Sequence, residues 1–167
     1  MKEKNAIEIR GDICHMNLYN RNRELIAVTT FNVWHLDKIK NHKWGISWSR
    51  GRNYPYSGLA GYLHKIVLPT KKGFEPDHKD GNSLNNVDRN LRVSTHAQNC
   101  ANRKKPSNNT SGFKGVVRCN QYWRATARHN GKQFTQYCKT KEEAALAYNK
   151  IAKRVFGEFA HLNININ

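Results

Sequence analysis

One polar stretch of the chain, Phe74 to Arg103, is dense in Asp, Asn and His, whose side chains can act as bases and metal ligands. Hydrolysis of a phosphodiester needs a base that deprotonates water, a hard cation that stabilises charge on the phosphate, and a scaffold that aligns them. Asp77 and His78 place a carboxylate beside an imidazole. If the segment around them is extended, the two side chains point to opposite faces, one toward a metal and one toward a water. The stretch therefore predicts metal-assisted hydrolysis.

A helix is predicted to follow this segment and to carry a further oxygen ligand. Thr95 and Gln98 have the spacing of a capping box, so a helix should begin there. Asn99 then lies in the first turns of that helix and faces back toward the preceding strand. Its amide oxygen could ligate magnesium, because this hard ion prefers oxygen ligands.

The spacing of these residues resembles the HNH endonucleases with a ββα-metal fold, in particular the phage-type homing endonucleases. The family pattern runs Asp-His, an Asn twelve residues after the His within Asn-Leu-Arg, and a helix with a last Asn or His. The matching residues are Asp77, His78, Asn90 and Asn99. The resemblance implies that Asp77 and Asn99 bind a single divalent ion, Mg²⁺, for which Mn²⁺ can substitute. It also implies that His78 is the general base and that Asn90 holds His78 in its working orientation.

Other polar residues of this region receive no fixed role. Asp, Asn and Gly cluster in ordinary turns, so Asp80 to Asn82 and the pair Asn85 and Asn86 are predicted to be turn residues without a catalytic role. His64 matches a histidine that often precedes this motif in relatives. Three roles stay open for it as an accessory residue: structural, a hydrogen-bonding partner of the site, or a phosphate contact.

The last third of the chain has the pattern of a separate module with three strands and one helix. Asn130-Gly131 is a strong hairpin signal between the second and third strands. Thr140 and Glu143 have the spacing of a capping box, and apolar residues then recur at helical spacing up to Gly157. The predicted strands are Phe113 to Cys119, Tyr122 to His129 and Lys132 to Cys138.

This module resembles the plant ethylene-response, or APETALA-type, DNA-binding domain, which recurs in phage HNH proteins. The resemblance covers Ser111 to about Asn163 and rests on the sequences SGFKGV, WRA, EEAALAY and FGEFAHLN. In that family the sheet lies in the major groove, where a β-ribbon fits, and the helix supports it from behind. Trp123 and Tyr148 are assigned to the core.

Carried over position by position, the resemblance implies DNA contacts from the sheet of the module. The plant relatives have arginines in the first strand where this chain has Val117 and Cys119, so their target preference does not transfer. A solvated basic face is the alternative explanation for the lysines. The implied contacts are Lys114, Arg128, Lys132 and Phe134, with Arg118 and Arg124 as weaker basic candidates whose facing the sequence does not fix.

The first 60 residues have a β-like pattern and say least about chemistry. Three tryptophans lie in this region, and the favoured interpretation is that they anchor a core rather than stack on bases. They are Trp34, Trp44 and Trp48. A small sheet is predicted from the apolar segments Ile7 to Ile9, Ile13 to Leu18 and Leu25 to Val28.

Composition favours a polyanionic partner. Among the 167 residues, 29 Lys and Arg stand against 12 Asp and Glu, giving a net charge of +17, and each neutralised phosphate releases condensed counterions. No apolar segment is long enough to span a bilayer, and the charged N-terminus lacks a signal peptide's apolar region, which predicts a cytoplasmic protein. The resemblance to phage HNH proteins implies that the cell is phage-infected or bacterial. Four scattered cysteines without a Cys-x-x-Cys pair predict free thiols and no zinc finger.

Together these patterns predict an α+β protein. It has a nuclease domain over residues 1–103 with an HNH core at 64–103, a basic linker at 104–112, and a DNA-binding domain over 113–163. The predicted function is site-specific nicking of double-stranded DNA by a monomer, with no membrane and no small-molecule cofactor. A DNA-binding transcriptional regulator with a non-catalytic HNH region is the alternative. RNA is disfavoured as a target because the groove of A-form RNA is too deep and narrow for a sheet.

Overall fold

Alternating apolar and polar residues build a three-stranded antiparallel sheet at the start of the chain, as the sequence predicts. Cys14, Met16 and Leu18 of its middle strand are fully buried, while the residues between them are half-buried on the other face. The computed structural model describes residues 5–49 and 52–166. The strands are β1 (Ile7–Arg10), β2 (Ile13–Tyr19) and β3 (Leu25–Asn32), in the order β1-β2-β3.

A hydrophobic core lies against the buried face of this sheet. Phe31 of β3 and Ile39 and Leu63 from later segments are fully buried in it. The segments that complete this core form a second antiparallel sheet and two short helices. They are α1 (Leu36–Ile39), β4 (Gly45–Ser49), β5 (Arg52–Ser57), β6 (Gly61–Tyr62) and α2 (Leu63–Val67), with the sheet order β4-β5-β6.

The tryptophans of this region do not all anchor the core. Trp44 is buried and donates its indole N–H to the carbonyl oxygen of Ile39, which confirms the prediction for this residue. Trp34 is 58% exposed and Trp48 is 71% exposed, so the prediction is wrong for both. Trp34 instead donates its indole N–H to the carboxylate of Asp88, a polar contact that keeps its ring at the surface.

A two-stranded hairpin follows and carries Asp77 and His78 on its first strand. Its strands are β7 (Phe74–His78) and β8 (Leu91–Thr95), and they pair antiparallel. A 3-10 turn, Asp88–Asn90, leads into β8. The helix α3 (His96–Ala101) begins directly after Thr95, where the capping-box spacing predicts a helix start.

The remainder of the chain forms three strands and one long helix, which confirms the predicted element order. The 16-residue helix begins with the predicted capping box, because Thr140 Oγ1 accepts from the Glu143 backbone and Glu143 bonds back to Thr140. Ala125, Ala127 and Tyr148 lie in the core between sheet and helix. The elements are β9 (Val116–Cys119), β10 (Tyr122–His129), β11 (Lys132–Cys138) and α4 (Lys141–Phe156), with the sheet order β11-β10-β9.

Backbone contacts divide the chain into two units, Met1–Thr95 and His96–Asn167, and both contain strands and helices, so the fold class is α+β. The division falls before α3, earlier than the linker predicted at 104–112. The reason is that α3 is held within the second unit, where Lys114 Nζ and the His161 backbone N–H both donate to the Ala101 carbonyl. The predicted domain limits stay a prediction.

Two smaller predictions concern the cysteines and the membrane. Cys14 is buried and Cys100, Cys119 and Cys138 are half-buried, all four as free thiols, as expected. Within the described ranges, no helix has the length and apolar character needed to cross a bilayer.

Candidate active site

Asp77 and His78 are the last two residues of strand β7 in this hairpin. Both lie in the extended strand, as predicted, so their side chains leave it in opposite directions. Each side chain is almost completely buried. In the antiparallel register, Asp77 stands opposite Arg92 and His78 stands opposite Leu91.

The carboxylate of Asp77 is held by its cross-strand neighbour. Arg92 Nε donates to Asp77 Oδ2 at 2.9 Å, and the aspartate side chain is fully buried. A buried carboxylate needs such a partner, because an isolated charge in the interior is strongly disfavoured. The carboxylate is also a hard oxygen donor of the kind that Mg²⁺ prefers, so the donor chemistry of this residue fits a magnesium ligand.

Asn99, the second predicted metal ligand, lies in α3 and is half-buried. It therefore belongs to the second unit, whereas Asp77, His78 and Asn90 belong to the first. In the part of the chain that the structure describes, no group of three or more His, Cys, Asp or Glu side chains could hold a metal ion.

The ring of His78 contacts a residue to which the sequence assigns only a turn. His78 Nε2 lies 3.1 Å from Asn86 Oδ1, and both residues are buried. In the sequence, Asn85 and Asn86 are both ordinary turn residues. In the structure, the Asn85 amide donates to the carboxylate of Asp80, whereas the Asn86 amide oxygen faces the imidazole. Sequence reasoning missed Asn86 because nothing in the sequence shows which of the two adjacent amides points inward.

Asn90 acts on the turn that follows His78. Its amide donates to Asp80 Oδ1 at 2.9 Å and to the Asn85 carbonyl at 2.8 Å, and its side-chain oxygen accepts from the Asp80 backbone at 3.1 Å. Its own carbonyl accepts from the Lys79 backbone at 2.8 Å. These bonds fix the backbone next to His78, so the orienting role predicted for Asn90 would operate through this turn rather than on the ring.

Asp80 is the centre of that turn. Burial alone would favour its neutral form, but hydrogen bonds from the Asn82 backbone and from the Asn85 and Asn90 side chains lower the pKa of Asp80. The carboxylate therefore stays ionised and keeps accepting these three bonds. Asp80 and Asn82 thus behave as the turn residues that the sequence predicts, with the added task of holding Asn90.

His64, on α2, packs its ring against the predicted base. Its centroid lies 5.5 Å from that of His78 at an interplanar angle of 81°, and it stacks on Tyr62 at 5.5 Å and 18°. Burial, followed by the charges of His78 and Lys65, lowers the pKa of His64 to about 3. Its Nδ1 is buried and has no hydrogen-bond partner among the described residues. Of the three roles left open, this geometry favours the structural one.

The depressed pKa of His64 predicts an acid-dependent loss of stability. An unfolded histidine titrates near 6.5, so the unfolded chain takes up the proton first and stability falls as the pH drops from about 6.5 toward 3. The contribution approaches about 1.4 kcal/mol per pH unit in that window. Urea unfolding of wild type and His64→Phe across this range should show a shallower pH dependence in the variant. Identical slopes would contradict this assignment.

The N-terminal sheet braces the turn region of the site. Asn86 N donates to the Thr30 carbonyl at 2.8 Å, and the Thr30 backbone donates to the Leu84 carbonyl at 3.0 Å. Thr30 and Asn85 form a parallel bridge. The end of β3 therefore pairs with the segment that carries Asn86, although 55 residues separate Thr30 from Asn85.

A second set of hydrogen bonds connects the end of β3 to the residues that precede β8. The Asp88 backbone donates to the side-chain oxygen of Asn32 at 2.9 Å. The two carboxylate oxygens of Asp88 contact Trp34 Nε1 at 2.8 Å and His35 Nε2 at 2.7 Å. Asp88 lies two residues before Asn90, so these contacts fix the end of the turn region that leads into β8.

In the second unit, the strand register sorts the predicted DNA contacts onto two faces. Ala125 and Ala127 are buried toward α4, so Arg124 and Arg128, which alternate with them, lie on the face away from the helix. Arg128 Nη2 donates to Gln133 Oε1 across the pair at 3.0 Å.

The other three sheet positions lie on the helix side. Phe134 pairs with Ala127 and packs against the core around α4, with the guanidinium of Arg154 5.5 Å from its ring centroid. By the same register Lys132 and Arg118 share that side. The family resemblance does not fix which way Arg118 and Arg124 face. The alternation of side chains places Phe134, Lys132 and Arg118 on one face and Arg124 and Arg128 on the other.

Lys114 is engaged within the second unit. Its ammonium donates to the carbonyl of Ala101, the last residue of α3, at 2.5 Å and to that of Arg103, just beyond the helix, at 2.6 Å. Burial, together with the charge of Arg103, lowers the pKa of Lys114 to about 8. Lys114 thus has a structural task within the second unit.

Comparisons with known proteins place the same segment in a described family. Residues 68–101 match the family model described as HNH endonuclease. A protein of Acanthamoeba polyphaga mimivirus named as an uncharacterized HNH endonuclease is 28% identical over 163 residues, covering 93% of this chain and 83% of the relative. Protein 3.8 of Escherichia phage T7 is 35% identical over 94 residues, covering 55% of this chain and 78% of the relative. No solved structure matches this chain significantly.

Proposed function

Because this chain belongs to the HNH endonuclease family, we propose that it is a site-specific DNA endonuclease that nicks one strand, in the manner of the homing endonucleases. The observation that carries the proposal is the buried pair of Asp77 and His78 at the end of β7. Arg92 bonds the carboxylate of Asp77, and Asn86 bonds the imidazole of His78. A site with one base and one metal cleaves one phosphodiester, so a monomer leaves a nick.

Each residue of the proposed site has a separate task. His78 takes the proton from the attacking water. Asp77 and Asn99 would hold one divalent ion through oxygen atoms, a set that suits Mg²⁺ and also accepts Mn²⁺. When bound, such an ion stabilises negative charge on the scissile phosphate and the leaving oxygen. The order β7, β8, α3 along the chain supports a ββα-metal arrangement for this site.

Conversion of supercoiled plasmid to open circle tests the enzymatic proposal directly. With a plasmid that carries the host locus, open circle should accumulate with Mg²⁺, stop when EDTA is added, and resume when Mg²⁺ exceeds the chelator. Mn²⁺ should replace Mg²⁺, whereas Ca²⁺ should support binding with little cleavage. Retention of the plasmid in a mobility-shift gel without cleavage under any metal would instead favour the alternative, a DNA-binding transcriptional regulator with a non-catalytic HNH region.

We further propose that the second unit contains an APETALA-type DNA-binding domain over residues 113–163, joined through the basic segment 104–112. Three antiparallel strands followed by a helix that covers one face support this proposal. The face away from the helix would enter the major groove, and it carries Arg124 and Arg128 with the exposed rings of Tyr122 and Tyr137.

The two faces of this sheet offer a matched test of DNA binding. The double variant Arg124→Gln/Arg128→Gln removes two charges from the outer face, and Arg118→Gln/Lys132→Gln removes two from the helix side. The outer-face variant should bind duplex DNA more weakly, and the log–log dependence of affinity on salt should flatten by roughly 0.9 per lost phosphate contact. The helix-side variant should stay closer to wild type. Equal losses in both would indicate a diffuse basic surface.

A further inference from the structure

We propose that Asn86 is a positioning residue that holds His78 in the Nε2–H tautomer, and that Thr29 of the N-terminal sheet holds Asn86 in turn. The consequence for catalysis rests on the proposed function, in which His78 is the base. The tautomer itself follows from hydrogen bonds within the first unit. These bonds connect β3 to the imidazole through buried side chains.

The direction of each bond is set by a backbone carbonyl, which can only accept. Thr29 Oγ1 lies 2.8 Å from the Leu84 carbonyl oxygen, so the hydroxyl hydrogen points there. The lone pairs of Thr29 Oγ1 then accept from Asn86 Nδ2 at 3.0 Å. The same Nδ2 donates its second hydrogen toward the Ser83 carbonyl at 3.3 Å.

The orientation of the Asn86 amide decides the proton position on His78. If the amide were flipped, its oxygen would face the Ser83 carbonyl and the Thr29 oxygen whose hydrogen is already used. The oxygen Oδ1 therefore faces His78 Nε2 at 3.1 Å, and it can only accept. Nε2 must carry the hydrogen of that bond.

A neutral imidazole carries one N–H, so protonation at Nε2 makes Nδ1 the basic nitrogen. The opposite tautomer would set the lone pair of Nε2 against Asn86 Oδ1 in a buried place, where an unmade bond is costly. Asn86 thereby selects which edge of the ring can take a proton from water. The Asn90 side chain bonds the turn and so supports the backbone beside this ring.

The proposal gives the N-terminal sheet a part in the chemistry. Thr29 and Asn86 are both fully buried, and 57 residues separate them in sequence. Removing the partners that orient a metal-ligating histidine typically costs about 10–100-fold in activity, and the same kind of bond orients His78 here. We expect a loss of that size in kcat for Asn86→Leu, with KM for DNA little changed.

Imidazole nitrogen spectra of the full chain test the tautomer without DNA or metal. Long-range proton–nitrogen correlation at pH 8, where an ordinary imidazole is neutral, separates protonated from unprotonated nitrogens. The His78 signals are those missing in His78→Gln. In wild type, Nε2 should be protonated and Nδ1 unprotonated. Asn86→Leu should show a mixture of both tautomers.

Two neighbouring threonines supply a matched pair of variants. Thr29→Val removes the hydroxyl that orients Asn86 and should shift the His78 signals partway in the same direction, with a smaller loss of kcat. Thr30→Val makes the same change one residue later. There the hydroxyl donates to Asn85 Oδ1 at 3.4 Å and not to a partner of Asn86, so the His78 signals should stay as in wild type. Thr29→Val also keeps the test decisive if Asn86→Leu does not fold.

The outcomes separate this proposal from the proposed function. A His78 protonated at Nδ1 in wild type, or signals unchanged in both folded Asn86→Leu and Thr29→Val, would overturn the positioning role even if the protein nicks DNA. Nicking that does not need His78 would overturn the general-base assignment while leaving the tautomer result standing. Tautomer mixing that tracks the loss of kcat across these variants supports both.

Discussion

His78→Ala is expected to lower the rate of DNA strand cleavage by about 10²–10⁴-fold, the range for losing a general acid–base group. The imidazole is the group beside Asp77 that can take a proton from water near neutral pH. Its ring is buried, so it adds little to the surface that meets DNA. Affinity for duplex DNA should therefore stay close to wild type, and the loss should fall on the cleavage step.

Single-turnover nicking with enzyme in excess over plasmid measures that step directly, and a mobility shift in Ca²⁺ measures binding separately. His15→Ala is the matched control, because it makes the same change on the outer face of the N-terminal sheet. The control should cleave at the wild-type rate. Cleavage by His78→Ala within a few-fold of wild type, with binding intact, would remove His78 from the proposed mechanism.

The local part of the candidate site could be predicted from the sequence. The pair Asp77 and His78 is adjacent in the chain, and a strand of five residues is enough to set their opposite directions. The helix start after Thr95 is likewise local, since capping-box spacing involves only four residues. The assignment of Asp77, His78, Asn90 and Asn99 to roles stays a prediction.

The long-range part could not be predicted. The contact of Asn86 with His78 depends on which way a turn amide faces, and that direction is fixed by Thr29 on a strand far away in sequence. The exposed Trp34 has the same explanation, because its partner Asp88 lies 54 residues later. A single sequence gives no measure of such pairings, so the sequence of residues 1–60 does not indicate their contacts with the site.

In the C-terminal sheet, the sequence itself carries a local signal for the direction of the side chains. Ala125 and Ala127 mark the side of β10 that a close-packed helix covers, so the alternating residues Arg124 and Arg128 had to face away. The pairing of Phe134 with Ala127 then assigns Phe134 to the helix side. Strand register decides the face of a side chain, and matching positions by family resemblance alone does not.

Gly115→Ala is expected to destabilise the second unit by several kcal/mol. Gly115 has a φ of +70°, which costs an L-residue about 1–2 kcal/mol. A Cβ there would also overlap the Tyr148 ring and lie 2.9 Å from the Thr126 carbonyl oxygen. Neither neighbour can yield easily, because Tyr148 is buried and the Thr126 backbone N–H is bonded to the Gly115 carbonyl at 2.8 Å. Overpacking of this kind adds about 1–3 kcal/mol.

Gly131→Ala separates the two causes. Gly131 has a similar φ of +76°, in the Asn130-Gly131 hairpin turn, but a Cβ there would meet no atom within 4 Å. Its substitution should therefore cost only the backbone strain, about 1–2 kcal/mol. Urea unfolding of the two variants, followed by circular dichroism, measures the difference. A clearly larger loss for Gly115→Ala indicates that the sheet and α4 pack in direct contact at Tyr148, whereas equal losses would show that the helix can move away from the sheet.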